Sequence, residues 1–223
     1  MPGVVGRDRT EIGGIGQKAY SRYLRGRSLK GYLYRKWLVY PRIARRLRGT
    51  VLDFGCGIGD FLASCPRAVG VDVNPYNVAV CRGRGLDAGT ITDGRLPFAD
   101  GFFAGAVMDN VIEHIPPAAV GQVMPEVLRT LAPGGTLVIG IPGPKGYAAD
   151  ADHKRFYTEN DLVSLMEAFG CTPIETLHTP FYCPRMDQYL RQYCRYVFFR
   201  VGPAAEYGKN RRKEEHQNTR PEE

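Results

Sequence analysis

The chain has 223 residues, 43% hydrophobic and 24% charged, with a formal net charge of +7. That is enough for one α/β domain with a sizeable core and some decoration. No run of eighteen apolar residues and no apolar leader occurs, so neither a membrane span nor a secretory signal is expected and a cytoplasmic protein is the reading.

The charge is uneven. Residues 1–50 carry a balance of +11, residues 51–150 one of −4, and residues 151–223 are neutral. The positive charge therefore belongs to an N-terminal arm. Such an arm suggests a partner that carries phosphate: a nucleic acid, an anionic membrane surface met peripherally, or a phosphate-linked substrate. Six single cysteines (Cys56, Cys65, Cys81, Cys171, Cys183, Cys194) form no CxxC pair and no ligand spacing with the four histidines. They read as reduced thiols, and no metal is expected.

In chain order, residues 1–48 form the basic arm. Its first sixteen residues are glycine-rich and read as flexible. Tyr20 to Leu47 is helical by pattern, with a break near Gly26 to Ser28 or at Gly31. Leu29, Leu33, Trp37, Tyr40 and Ile43-Ala44 recur at helical spacing and are expected to pack on the domain. Arg25, Arg27, Arg35, Arg42, Arg45 and Arg46 would then turn outward, as a solvated face or as a lid or docking surface. Pro41 is expected to begin a last helix that runs to Arg48.

Residues 49–202 alternate strand and helix. Strands are expected at 51–54, 68–72, 88–91, 103–109 and 136–141, with helices from Pro75 to Gly83 or Gly85 and over 117–131, the latter kinked or divided by Pro125. Pro66 leaves room for only a short helix after Gly59. Thr158 followed by Asp161 is a capping signal for a helix over 159–169. Strands at 172–178 and 196–201 follow, separated by an amphipathic insert over 184–195. Residues 203–223 are polar and read as a disordered tail. The expected fold is α/β, a Rossmann-like doubly wound and mostly parallel seven-stranded sheet with helices on both faces, plus the helical arm.

The chemistry concentrates at Val51-Leu52-Asp53-Phe54-Gly55-Cys56-Gly57-Ile58-Gly59-Asp60 and at Val69-Gly70-Val71-Asp72-Val73-Asn74. A strand, a turn with alternate glycines and a second strand ending in a carboxylate describe a nucleoside site, with Asp72 placed to accept from a ribose diol. Asp60 stands where a dinucleotide fingerprint has its third glycine. A ligand with an adenosine, an ammonium group and no phosphate suits that loop better.

These segments resemble the first motifs of the class I S-adenosylmethionine (SAM)-dependent methyltransferases. The resemblance runs from Thr50 to Phe169 and takes in Leu96-Pro97-Phe98, Glu113-His114-Ile115, Pro133-Gly134-Gly135 and Asp152-His153-Lys154-Arg155-Phe156-Tyr157-Thr158. It is similar to the small enzymes that act on natural products, sugars and lipids. It implies one antiparallel strand in the sheet, with SAM as cofactor and S-adenosylhomocysteine as product. Gly55 and Gly57 would line the methionine half. Asp53 would hold the loop or reach the ammonium group through water, and Val73 or Asn74 would flank the adenine. Asp109 would lie near the methionine moiety. An acid for the adenine amino group is expected at the position of Thr92, and Asp93 follows one residue later.

Methyl transfer from a sulfonium needs alignment more than activation, and a hydroxyl acceptor would add a general base. His153, oriented by Asp152, and His114 are the candidates. Arg155 and Tyr157 are candidate substrate contacts. A small-molecule, glycan-like, lipid-linked or phosphate-linked acceptor is expected, methylated at oxygen. The alternatives are an RNA acceptor met by the basic aromatic arm, less favoured because no RNA module is visible, and a non-catalytic scaffold that keeps the fold.

Overall fold

The computed structural model describes residues 11–12, 15–26, 28–183 and 187–202. The predicted tail and the first ten residues lie outside them. Within the stretch expected to be flexible, β1 (Glu11–Ile12) and β2 (Ile15–Gly16) pair antiparallel. The helix α1 (Gln17–Arg25) follows.

The body is a seven-stranded sheet built from β3 (Val51–Phe54), β4 (Ala68–Asp72), β5 (Ala88–Thr90), β6 (Phe103–Asp109), β7 (Leu131–Pro142), β8 (Cys171–Thr179) and β9 (Cys194–Val201). Their order is β5-β4-β3-β6-β7-β9-β8. β9 runs antiparallel to both neighbours, while the β3 to β7 pairings are all parallel. The chain moves outward from β3 through β4 to β5, then returns to place β6 on the other side of β3. This reversal opens a crevice at the carboxyl ends of β3 and β6, where α/β sheets bind ligands.

Alternate residues of each central strand feed two apolar layers. Leu52, Ala106, Met108, Leu137, Ile139 and Phe199 join Val120, Met124, Val127 and Leu128 of α5 (Pro117–Arg129) and Leu162 and Met166 of α7 (Glu159–Ala168). Val51, Val107, Val138 and Phe198 face the other way. They meet Val39, Tyr40, Ile43 and Leu47 of the arm, and Val78 and Cys81 of α4 (Pro75–Gly83). The period of two along the strands thus yields the three layers.

Several expectations are corrected. The segment after Gly59 closes only a 3-10 turn, Leu62–Ser64. Pro125 lies inside α5 without ending it. β7 starts five residues early and absorbs Pro133-Gly134-Gly135 through a bulge, as its register against β6 jumps between Phe103 and Gly105. Within the amphipathic insert, Asp187 to Tyr193 run as turns.

The arm holds the largest difference. α2 (Leu29–Tyr34) passes through a π turn at Arg35–Val39 into α3 (Tyr40–Ala44), so Pro41 lies within a continuous helical run. The amide of Tyr40 reaches back to the Arg35 carbonyl. The wider turn absorbs one extra residue and slips the phase of the apolar stripe. Tyr40 and Ile43 are buried as expected, whereas Leu29 and Trp37 are each 68% exposed. Arg35 is turned inward, 3.4 Å from Asp60.

The cap at α7 forms as predicted. The Asp161 amide donates to Thr158 Oγ1 (3.1 Å), and the Thr158 amide donates to Asp161 Oδ2 (2.9 Å). Thr158→Ala should cost about 1 kcal/mol in urea denaturation.

Candidate active site

A single cavity of about 760 Å³ occupies the crevice. The ends of β3, β4 and β6 form its floor, and Tyr20, Tyr23, Leu24, Tyr34 and Arg35 of the arm line it from the other side. The arm is thus a wall of the site.

At one end the chain after β3 turns sharply. The amides of Gly55 and Cys56 both donate to the Val71 carbonyl (2.8 and 3.0 Å), which fastens the turn to β4. Gly55 has φ +74°, and a Cβ there would come within 2.6 Å of Val111. Gly57 has φ +53° but faces open space, with Leu24 the nearest atom at 3.7 Å. Its amide donates to Asp72 Oδ2 (2.8 Å), and Asp72 Oδ1 accepts from the Asn74 amide (2.7 Å). Asn77 adds a longer bond at 3.4 Å. A carboxylate has about four lone-pair sites, so Asp72 keeps acceptor capacity on the cavity that it lines. Burial raises its pKa, against the pull of the amides of Asn74 and Gly57.

Asp53, buried beneath the loop, has Oδ2 without a hydrogen-bond partner. Burial raises its pKa well above the ordinary range, and the charge of Asp109 adds to this. Six aspartates (53, 60, 72, 109, 150 and 152) line the cavity against two arginines, Arg35 and Arg191. The donor set therefore fits SAM, whose sulfonium and ammonium are cationic and which carries no phosphate. Asp72 would hold its ribose, the Gly55 to Gly57 turn its methionine half, and Asp53 its ammonium group.

At the other end, His114 and His153 stand with ring centroids 4.6 Å apart. They come from distant segments. The Glu113 carbonyl accepts from the amides of Lys154 (2.7 Å) and Arg155 (3.2 Å), which ties the 3-10 turn Ile112–His114 to the loop before α7. Asp152 contacts His114 through Oδ2 and Nδ1 (3.1 Å), and its Oδ1 accepts from Lys154 Nζ (2.9 Å). His153 instead donates from Nδ1 to the Tyr147 carbonyl (2.7 Å). Asp152 thus orients His114, whereas the sequence reading paired it with His153. Burial and the neighbouring His153 lower the pKa of His114, so its ring is neutral near pH 7.

Between the two ends lies a network that the sequence reading missed. Tyr40 and Tyr196 both donate to Asp109 (3.0 and 2.8 Å). Burial and the charge of Asp109 raise both phenols well above their usual pKa, so they remain donors.

The remaining predicted residues are distributed as follows. Val73 and Asn74 line the cavity, with Asn74 also capping α4 through the Tyr76 amide (3.0 Å) and donating to the Gln17 carbonyl (2.9 Å). Asp93 is exposed, 3.4 Å from Thr92, and lies outside the lining. Arg155 lies over the Tyr157 ring at 4.8 Å, with Tyr157 buried, and neither lines the cavity. Leu96-Pro97-Phe98 is anchored to α5, since Arg129 donates to the carbonyls of Leu96 (3.2 Å) and Phe98 (2.9 Å).

Residues 52–139 match the family model described as a methyltransferase domain. An uncharacterized methyltransferase of Mycobacterium sp. (strain KMS) is 38% identical over 110 residues, which is 44% of this chain and 41% of that protein. The chain thus spans less than half the length of the curated relatives that it matches. Among solved structures, a SAM-dependent methyltransferase of Thermotoga maritima superposes with a TM-score of 0.64 at 20% identity, covering 83% of this chain and 97% of that one. The N-methyltransferase NodS of Bradyrhizobium japonicum superposes with a TM-score of 0.58 at 19% identity, covering 79% and 99%. These two likenesses concern the fold. The matched stretch spans the Gly55 to Gly57 turn, Asp72 and Asp109, so the crevice lies within a segment similar to a methyltransferase domain.

Proposed function

We propose that the chain methylates a hydroxyl of a small, glycan-like or lipid-linked acceptor. The observation that carries this reading is one continuous cavity with Asp72 and Gly57 at one end and the oriented pair His114 and His153 at the other. When bound, SAM supplies a methyl group already activated on a cationic sulfur. The chain's own work is alignment, exclusion of water by the arm, and handling of one proton. Nδ1 of His114 faces a carboxylate and Nδ1 of His153 faces a carbonyl, so Nε2 of each is the proton-accepting atom. A neutral imidazole there takes the acceptor's hydroxyl proton.

The test is incubation of the protein with methyl-labelled SAM and a metabolite extract, followed by mass analysis. A labelled, hydroxyl-derived product that His153→Ala suppresses, with SAM affinity retained, supports the reading. Label on nitrogen, or no labelled product while SAM still binds, contradicts it.

Exposed Leu29, Leu33, Trp37 and Leu38 favour delivery of the acceptor from an anionic membrane surface. Lys36 lies 5.5 Å from the Trp37 ring, next to the cavity wall at Gly31, Tyr34 and Arg35. Among the described residues no helix is long and apolar enough to cross a membrane. Val197-Phe198-Phe199, also apolar, are buried core of β9 and take no part in that surface. Trp37 is the chain's only tryptophan, so its emission should shift to the blue on adding anionic vesicles and stay unchanged with neutral ones.

A further inference from the structure

We propose that Glu113, His114 and His153 form a binding site for a divalent transition-metal ion at the acceptor end of the cavity. One donor atom from each residue lies within 4.8 Å of the others. The sequence hides this set, because His153 is brought to Glu113 only through the backbone bonds of Lys154 and Arg155 to the Glu113 carbonyl.

Three observations point to a cation. Glu113 is 1% exposed, and neither carboxylate oxygen has a hydrogen-bond partner on another residue. A carboxyl group buried in that way stays ionised only where a positive charge meets it. His153 Nε2 lies 3.8 Å from Glu113 Oε1, beyond hydrogen-bond reach. Lys154 does not fill the role, since its ammonium is engaged by Asp152 at 2.9 Å.

The second observation is the tautomer of each ring. Tyr147 offers a carbonyl, which only accepts, so His153 carries its proton on Nδ1. Asp152 does the same for His114. Both Nε2 atoms are left as lone pairs, and a carbonyl or carboxylate behind the second nitrogen is the usual support of a metal-binding imidazole. Two imidazoles and a carboxylate brought this close together are an arrangement that a cation resolves.

The third is composition. Two imidazoles and one carboxylate suit zinc, iron(II), cobalt or nickel better than magnesium or calcium. Three protein ligands also leave a coordination position open. Donors about 2.1 Å from a tetrahedral ion would lie roughly 3.4 Å apart, so the set needs to close by about 1 Å. Both histidines line the cavity; with the ion bound their Nε2 atoms no longer accept a proton, and the open side would instead hold the acceptor's hydroxyl and lower its pKa. That last clause rests on the transferase reading; the ion site does not.

The experiment is calorimetry of the chelator-stripped full chain with Co²⁺ and with Zn²⁺, alongside SAM binding on the same samples. Saturation at one ion per chain with a Kd on the order of micromolar is expected. Glu113→Gln and His153→Ala should each weaken binding by at least tenfold. Asp152→Asn, which leaves all three ligands in place, should weaken it by about 10- to 100-fold. Circular dichroism and retained SAM affinity identify variants that remain folded. No saturable metal binding by a chain that still binds SAM overturns the site and leaves the transferase reading intact, as does binding that Glu113→Gln and His153→Ala leave unchanged. Metal binding of the expected pattern in a chain that binds no SAM upholds the site and removes the transferase reading.

Discussion

Replacing Asp72 with alanine should weaken SAM binding on the order of 100-fold, because one or two hydrogen bonds to a charged group are worth about 1.5–3 kcal/mol each. The variant also frees the Gly57 amide, which now donates to Asp72 Oδ2 at 2.8 Å, so the glycine turn loses one of its ties to β4. Calorimetry with SAM measures the first effect, and thermal unfolding checks that the chain still folds. The same carboxylate sets a pH dependence. Burial holds its pKa above the usual aspartate value, and a ribose diol donates best to the ionised form. SAM affinity should therefore fall on acidification, beginning above the ordinary aspartate range near about 4. In Asp72→Asn that component should disappear. An affinity equal to the parent's at all pH values would show that Asp72 does not hold the ligand.

Asp109→Ala should destabilise the protein by about 2–6 kcal/mol, from two buried donors that each lose their acceptor at about 1–3 kcal/mol. The donors are the phenols of Tyr40 from the arm and Tyr196 from β9, which meet on this one carboxylate at 3.0 and 2.8 Å. They join three parts of the molecule that are distant in the chain. Urea denaturation measures the loss. The triple variant Tyr40→Phe, Asp109→Leu, Tyr196→Phe should recover part of it, since removing the two phenols together with their acceptor costs less than orphaning them. A cost within about 0.5 kcal/mol for Asp109→Ala, the range of an ordinary surface change, would show that the network carries no stability.

The sheet was legible because its signals are local. Val51 to Phe54, Ala68 to Asp72 and Phe103 to Asp109 are apolar runs of strand length, and each observed strand starts and ends on the predicted residues. The Thr158 to Asp161 cap was legible for the same reason: its reciprocal bonds span three residues. The arm's exposed face was not, since the reading assumed a uniform helical period that the π turn at Arg35–Val39 interrupts.

Within the site, Asp72 and the glycine turn belong to one strand-turn-strand unit and could be read together. Tyr196 could not, because its place depends on β9 entering between β7 and β8. The exchange of partners between His114 and His153 also depends on tertiary structure. Adjacency in sequence suggested that Asp152 serves His153, yet the fold turns Asp152 toward His114 and gives His153 the Tyr147 carbonyl.

The most direct measurement is a crystal structure of the full chain with S-adenosylhomocysteine. The ribose hydroxyls are expected within hydrogen-bond distance of Asp72, with the amino acid moiety along Gly55 and Gly57 and the sulfur directed toward His114 and His153. Ligand bound elsewhere, or a ribose turned away from Asp72, would contradict this account.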